Sequence, residues 1–172
     1  MLYGTRDLLR GIKVTGVPEM AKNKILVVGD ELDMRTFVCT LLGTCGHKSI
    51  VAKDGLEGIK KARELNPALI ILDVMLPKEG GIQMYRELKT DDDLKHIPVI
   101  MLSGISKKTF FHSQSMLDSY MGQSLPEPEG YIEKPPESEE LIHLAESLMA
   151  GQKWIGWAGP VISEPGPSWS DR

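Results

Sequence analysis

The chain has 172 residues, 41% hydrophobic and 26% charged, with 20 Lys plus Arg against 24 Asp plus Glu and a formal charge of -4. This suits one globular core of about 100 to 150 residues with tails, and with no basic block it excludes the footprint of a nucleic-acid binder. Apolar runs such as Leu69 to Leu72 fall far short of the roughly 20 residues a membrane span needs, there is no signal-peptide apolar region, and Cys39 and Cys45 lack CxxC or His ligand spacing, so a soluble cytoplasmic protein with reduced thiols is expected.

Residues 1–21 read as a leader outside the core, with one short helical candidate, Asp7 to Ile12. Met20 directly precedes a strand pattern and is an alternative natural start. From residue 24 short apolar runs alternate with amphipathic stretches, which predicts an α/β fold with a parallel sheet. The strands are expected at Lys24 to Val28, Ser49 to Ala52, Leu69 to Leu72, Val99 to Leu102 and Gly130 to Glu133. Met34, Phe37, Val38, Leu41 and Leu42 recur at helical spacing after the first strand, as Leu141, Ala145, Leu148 and Met149 do after the last. Each helix should bury that face on the sheet.

Gly55 to Leu65 and Gly81 to Lys89 read as the second and third helices, with Asn66-Pro67 and His96-Ile97-Pro98 turning the chain into the following strands. Between 105 and 130 lies an extended segment, with a fourth helix from Lys107 to Met121 and then Leu125-Pro126-Glu127-Pro128-Glu129 as an extended loop. The core is expected over 22–150. Residues 151–172, rich in Gly, Pro, Ser and Trp, read as a tail without a core of its own.

Ligands of an open parallel sheet bind beyond the carboxyl ends of its strands. Here those ends carry Gly29-Asp30-Glu31, Asp73, Ser103-Gly104 and Lys134-Pro135. Two carboxylates, a hydroxyl and an ammonium converging on one rim suit phosphoryl transfer onto a carboxylate. Asp73 would be the nucleophile, Asp30 and Asp73 would hold a divalent cation, and Ser103 and Lys134 would neutralise the transferring oxygens. Magnesium, which usually takes only one or two protein carboxylates, fits such a set. Alone, Asp73 would read as a turn cap at a strand end and Asp30 as a helix cap; the joint constellation outweighs both.

Ile25-Leu-Val-Val-Gly-Asp-Glu31, Leu69-Ile-Ile-Leu-Asp-Val-Met-Leu-Pro77, Ile100-Met-Leu-Ser-Gly104 and Tyr131-Ile-Glu-Lys-Pro-Pro136 together resemble the signatures of receiver domains of bacterial two-component response regulators, over roughly residues 22 to 150. The resemblance implies a doubly wound, flavodoxin-like (βα)5 fold with a five-stranded parallel sheet. It implies Asp73 as phospho-acceptor and magnesium held by Asp30 and Asp73, with Glu31 and the Met75 backbone carbonyl as further candidates. Ser103 becomes the switch hydroxyl, Lys134 the phosphate contact, Tyr131 the rotating aromatic, and Lys134-Pro135 the family's cis peptide. Expected partners are a sensor histidine kinase or phosphotransfer protein and a downstream protein target, the chain itself being a monomer or weak homodimer and a regulatory phospho-acceptor rather than an enzyme.

Two features depart from that pattern. Gly29 stands where receivers carry the first of two acids, so magnesium is expected to bind weakly, and alternation near a strand end argues against Glu31 as a simple substitute. Lys134 follows Ser103 by 31 positions, a longer interval than is usual, and the extra length falls in the fourth helix and the Pro-Glu loop. A receiver-like module acting without phosphorylation is therefore a second reading. A phosphatase of the haloacid dehalogenase type is a third, opposed by Met75 where its second Asp would stand, and no GxGxxG follows the first strand to support dinucleotide binding. His47, His96, His112 and His143 are dispersed and read as structural. Phe110-Phe111 reads as a core pair or a partner contact, and Trp154, Trp157 and Trp169 as a tail or a docking segment.

Overall fold

The computed structural model describes residues 23–151 apart from 123. The expected leader and the tryptophan-bearing tail lie outside the described residues. Strands β1 (Lys24–Val28), β2 (Lys48–Ala52), β3 (Leu69–Asp73), β4 (Val99–Ser103) and β5 (Gly130–Glu133) form one sheet in the order β2-β1-β3-β4-β5, every pair parallel. Helices α1 (Leu32–Thr44), α2 (Gly55–Leu65), α3 (Gly80–Thr90) and α4 (Lys107–Met121) provide the crossovers, and α5 (Ser138–Met149) follows the last strand. The expected five-stranded, doubly wound sheet is thus present, and β3 and β4 each run one residue further, taking Asp73 and Ser103 into the strands.

Strand alternation assigns the two cores. Ile25, Val27, Leu69, Ile71, Ile100 and Leu102 face α1 and α5, where Val38, Leu42, Leu141, Leu144 and Ala145 cover them. Leu26, Val28, Ile70, Leu72, Val99 and Met101 face the opposite layer of α2, α3 and α4. Because β3 is covered on both faces, it is apolar throughout until its last residue, and all five of its residues are buried.

Helix boundaries follow local chemistry. Asp54 accepts from the Glu57 N–H and caps α2, and Ser106 accepts from the Thr109 N–H and caps α4. Asn66 at φ 42° and Gly122 at φ 68° end those helices in the left-handed region. Asp30 caps nothing: the residue preceding α1 is Glu31, whose side chain makes no capping bond. Phe37, expected on the inner face of α1, is 40% exposed, because Val38 and Leu42 already cover the sheet there and leave residue 37 on the flank.

Gly81 places the third crossover. A Cβ at residue 81 would stand 2.5 Å from the Asp73 carbonyl oxygen and 2.6 Å from that of Val74. Only glycine lets α3 start this close to the end of β3, and Asp73 is held beneath it.

Candidate functional site

Asp73, at the end of the central strand, is 2% exposed. Its Oδ1 accepts the Met75 N–H at 2.8 Å and its Oδ2 accepts from Lys134 Nζ at 2.6 Å. A buried carboxylate without partners would be strongly disfavoured; these two bonds give each oxygen a partner and aim the group at the rim. Lys134 arrives from the turn after β5, whose Lys134-Pro135 peptide is cis as the resemblance implied. Its N–H donates to the Ser103 carbonyl at 2.8 Å, which continues the β4–β5 pairing past the strand end. Burial works against the Lys134 ammonium, but the hydrogen bond and charge of Asp73, with help from Glu31, outweigh it and hold the amine above its ordinary range.

Asp30 and Glu31 follow β1 onto the same rim. One carboxylate oxygen each from Asp30, Glu31 and Asp73 lie within 4.8 Å of one another. Glu31 also accepts from Lys134 Nζ at 3.2 Å, so its side chain faces the site, contrary to the direction expected from strand alternation. Residue 31 lies beyond β1 in the turn into α1, with φ -75° and ψ 115°, and the strand's two-residue period no longer governs its direction. Three hard oxygen donors, two of them exposed, are the donor chemistry that magnesium takes.

Ser103 is fully buried at the end of β4, and its Oγ accepts the Ile105 N–H at 3.2 Å. Tyr131, half-buried on β5, donates from its hydroxyl to the Ile105 carbonyl at 2.8 Å. Its ring stands 5.6 Å from Phe110 and 6.0 Å from Phe111, centroid to centroid. Burial raises the Tyr131 phenol, the nearby Ser103 hydroxyl pulls it partly back, and Glu133 adds to the rise. Phe110 is in the core and Phe111 half-buried beside it, so that pair is largely spent on packing against Tyr131.

One neighbour escaped the sequence reading. Arg35, in the first turn of α1, donates from Nη1 to the Gly29 carbonyl at 2.5 Å. Its cue was placement four residues after Glu31 on a helix whose N-terminus adjoins the rim, a spacing shared by many surface arginines. At Gly29 itself, an added Cβ would meet the Asp73 Cβ at 3.6 Å and Asp73 Oδ2 at 3.9 Å, ordinary contact distances.

The loop before β5, expected as an extended loop, is held by the elements beside it. Tyr85 donates to the Pro126 carbonyl at 2.7 Å. Glu129 accepts from the buried Lys89 ammonium at 2.7 Å with one oxygen and from the Val99 N–H at 2.7 Å with the other. The loop is tied down along α3 and the start of β4.

A parallel sheet that gathers an aspartate, a lysine and a hydroxyl at its carboxyl edge has the arrangement expected of a signalling receiver. The family model for the response regulator receiver domain matches residues 25–146, and the chain belongs to that family. It is 38% identical over 89 residues to the polar-differentiation response regulator DivK of Brucella anthropi, a match spanning 52% of this chain and 72% of that one. Among solved structures, the receiver domain of the Francisella response regulator 1452 superposes with a TM-score of 0.62 at 27% identity, covering 75% of this chain and 98% of that one. The signal receiver domain of a Syntrophus aciditrophicus signal transduction histidine kinase does so with a TM-score of 0.62 at 26% identity, covering 80% and 99%. The dehalogenase-type reading is set aside by this membership. Among the described residues no helix is long and apolar enough to cross a membrane.

Proposed function

We propose that this receiver is a cytoplasmic phosphorylation switch in which Asp73 takes a phosphoryl group from a phosphohistidine of a sensor kinase or phosphotransfer protein. One Asp73 oxygen forms a bond to phosphorus while the phosphorus–nitrogen bond breaks and its electron pair returns to the imidazole. The observation that carries this is the 2.6 Å contact of Lys134 Nζ with Asp73 Oδ2 at the carboxyl edge of the sheet. There the ammonium is placed to meet the charge that builds on the transferred group. Asp30, Asp73 and Glu31 would hold magnesium, with the Met75 carbonyl as a further donor from the turn that follows Asp73; when bound, the ion neutralises phosphoryl oxygens. Ser103 and Tyr131 would read the new charge, the first through its hydroxyl and the second through rotation of a ring now bonded to Ile105. The output is a change of protein contacts with a downstream target, made by a monomer or weak homodimer.

Gly29 favours a second reading, a receiver that binds partners without being phosphorylated. Mass spectrometry after incubation with a small-molecule phosphodonor, with and without magnesium, separates the two. A magnesium-dependent phosphoryl adduct on the wild type, absent from Asp73→Asn, is expected. An adduct that persists in the variant would move the acceptor elsewhere, and none on either would favour the second reading.

A further inference from the structure

A cavity of about 590 Å³ opens between α3, α4 and the loop before β5. Its body is apolar and aromatic, formed by Ile82, Tyr85, Phe110, Phe111 and Leu125. Its polar end belongs to Gln114 and Asp118, one helical turn apart on α4. Gln114 is only 9% exposed, and no donor among the described residues reaches its Oε1 or Asp118 Oδ1, both shielded from solvent. The other Asp118 oxygen has a long bond from the Leu125 N–H, 3.4 Å.

Buried acceptors without donors are costly, and a carboxylate oxygen more so than an amide. Of the cations on α3 and α4, Lys89 is engaged with Glu129, and Lys107 lies beside Glu127 at 3.9 Å and over the Phe111 ring at 5.6 Å. Asp118, whose oxygens can only accept when ionised, sets the sign of the missing group.

We propose that this cavity is a binding site for a small organic cation, an aromatic or branched apolar body bearing a primary ammonium head. The body lies among Ile82, Phe110 and Phe111, and the head donates to Gln114 Oε1 and Asp118 Oδ1. The volume falls inside the range of about 300 to 1,000 Å³ typical of small-molecule sites. Phe110 and Phe111 form both the cavity wall and the aromatic packing of Tyr131, so an occupied cavity biases the position of that ring. This coupling, unlike the binding, rests on the phosphoryl-switch reading.

The test titrates 2-phenylethylammonium into the full chain and follows amide NMR shifts, with 2-phenylethanol and 3-phenylpropionate as neutral and anionic counterparts. Saturable shifts around Phe110, Gln114 and Asp118 are expected with the ammonium, about tenfold or more weaker binding with the alcohol, and none with the carboxylate. Asp118→Asn, nearly isosteric, should weaken the ammonium about tenfold; should that variant not fold, the preference for ammonium over alcohol in the wild type decides alone. Equal binding of all three probes, no saturable shift at millimolar ammonium, or an unchanged affinity in a folded Asp118→Asn overturns the proposal. Shifts of the same amides that grow with protein concentration without any amine would place a second copy there and overturn it too. A failure here leaves phosphorylation of Asp73 untouched, whereas ammonium binding without any adduct on Asp73 would remove only the coupling.

Discussion

The backbone of Gly29 faces the side chain of Asp73, so that a Cβ at residue 29 would stand 3.6 Å from the Asp73 Cβ and 3.9 Å from its Oδ2. A Cβ is therefore accommodated at residue 29, with Arg35 Cγ at 3.7 Å as its other neighbour. Two unit charges about 4 Å apart interact by roughly 1 kcal/mol in water and 4 kcal/mol at an effective dielectric near 20. Gly29→Asp should accordingly tighten magnesium binding at least several-fold and, without the ion, lower stability by about 1 kcal/mol through repulsion from Asp73. A magnesium titration followed by NMR, paired with urea denaturation in chelator, measures both. Unchanged affinity would mean that the neighbouring Arg35 guanidinium pairs with the new acid instead of the ion.

Tyr85 governs the alkaline limit of the loop. Its buried phenol is pushed far above its ordinary range, first by burial and then by the charges of Glu129 and Glu127. A group with a raised folded pKa contributes stability that is complete below the unfolded value, about 10 for tyrosine, and is lost as pH rises through the folded value. Wild-type stability should thus fall as pH climbs above about 10, and Tyr85→Phe should fall less steeply. At neutral pH the same variant should lose about 1 kcal/mol with the bond to the Pro126 carbonyl. Urea denaturation at neutral and alkaline pH tests both statements.

Glu129 anchors the extended segment. Glu129→Ala strips the Lys89 ammonium of its carboxylate and the Val99 N–H of its acceptor, and should cost about 1 to 3 kcal/mol. Lys89 keeps the Ile97 carbonyl at 3.2 Å as an acceptor, which argues for the lower part of that range. Amide exchange should rise at Val99 and along the loop while the β1–β3 pairing stays protected. For the same reason, shortening residues 122–129 to a minimal turn should destabilise the domain instead of leaving it intact, and thermal denaturation of that deletion measures the loss.

Phosphodonor should change amide protection across residues 103–134, because Ser103 and Tyr131 meet at Ile105, whose amide bonds to one and whose carbonyl bonds to the other. Hydrogen exchange with and without donor reads this directly. Changes limited to the surroundings of Asp30 and Asp73 would make the segment a passive insertion.

The sequence by itself determined the five strands, the helices between them and the rim on which Asp30, Asp73, Ser103 and Lys134 meet. Short continuous apolar runs alternating with amphipathic helices define parallel strands, and a parallel sheet must bring its carboxyl ends together whatever else the chain does. Tertiary structure alone decided what periodicity does not encode. The direction of Glu31 depends on the turn beyond β1, and the exposure of Phe37 on which neighbours reach the sheet first. Lys89 and Tyr85 meet a Pro-Glu loop far from them in the chain, Arg35 reaches the Gly29 carbonyl across the turn beyond β1, and the Gln114–Asp118 turn shares its cavity with residues of α3 and the loop. The contacts at the loop and the cavity are set by the packing of α3 and α4 against the sheet, that of Arg35 by the start of α1, and nothing in local spacing distinguishes these polar side chains from solvated ones.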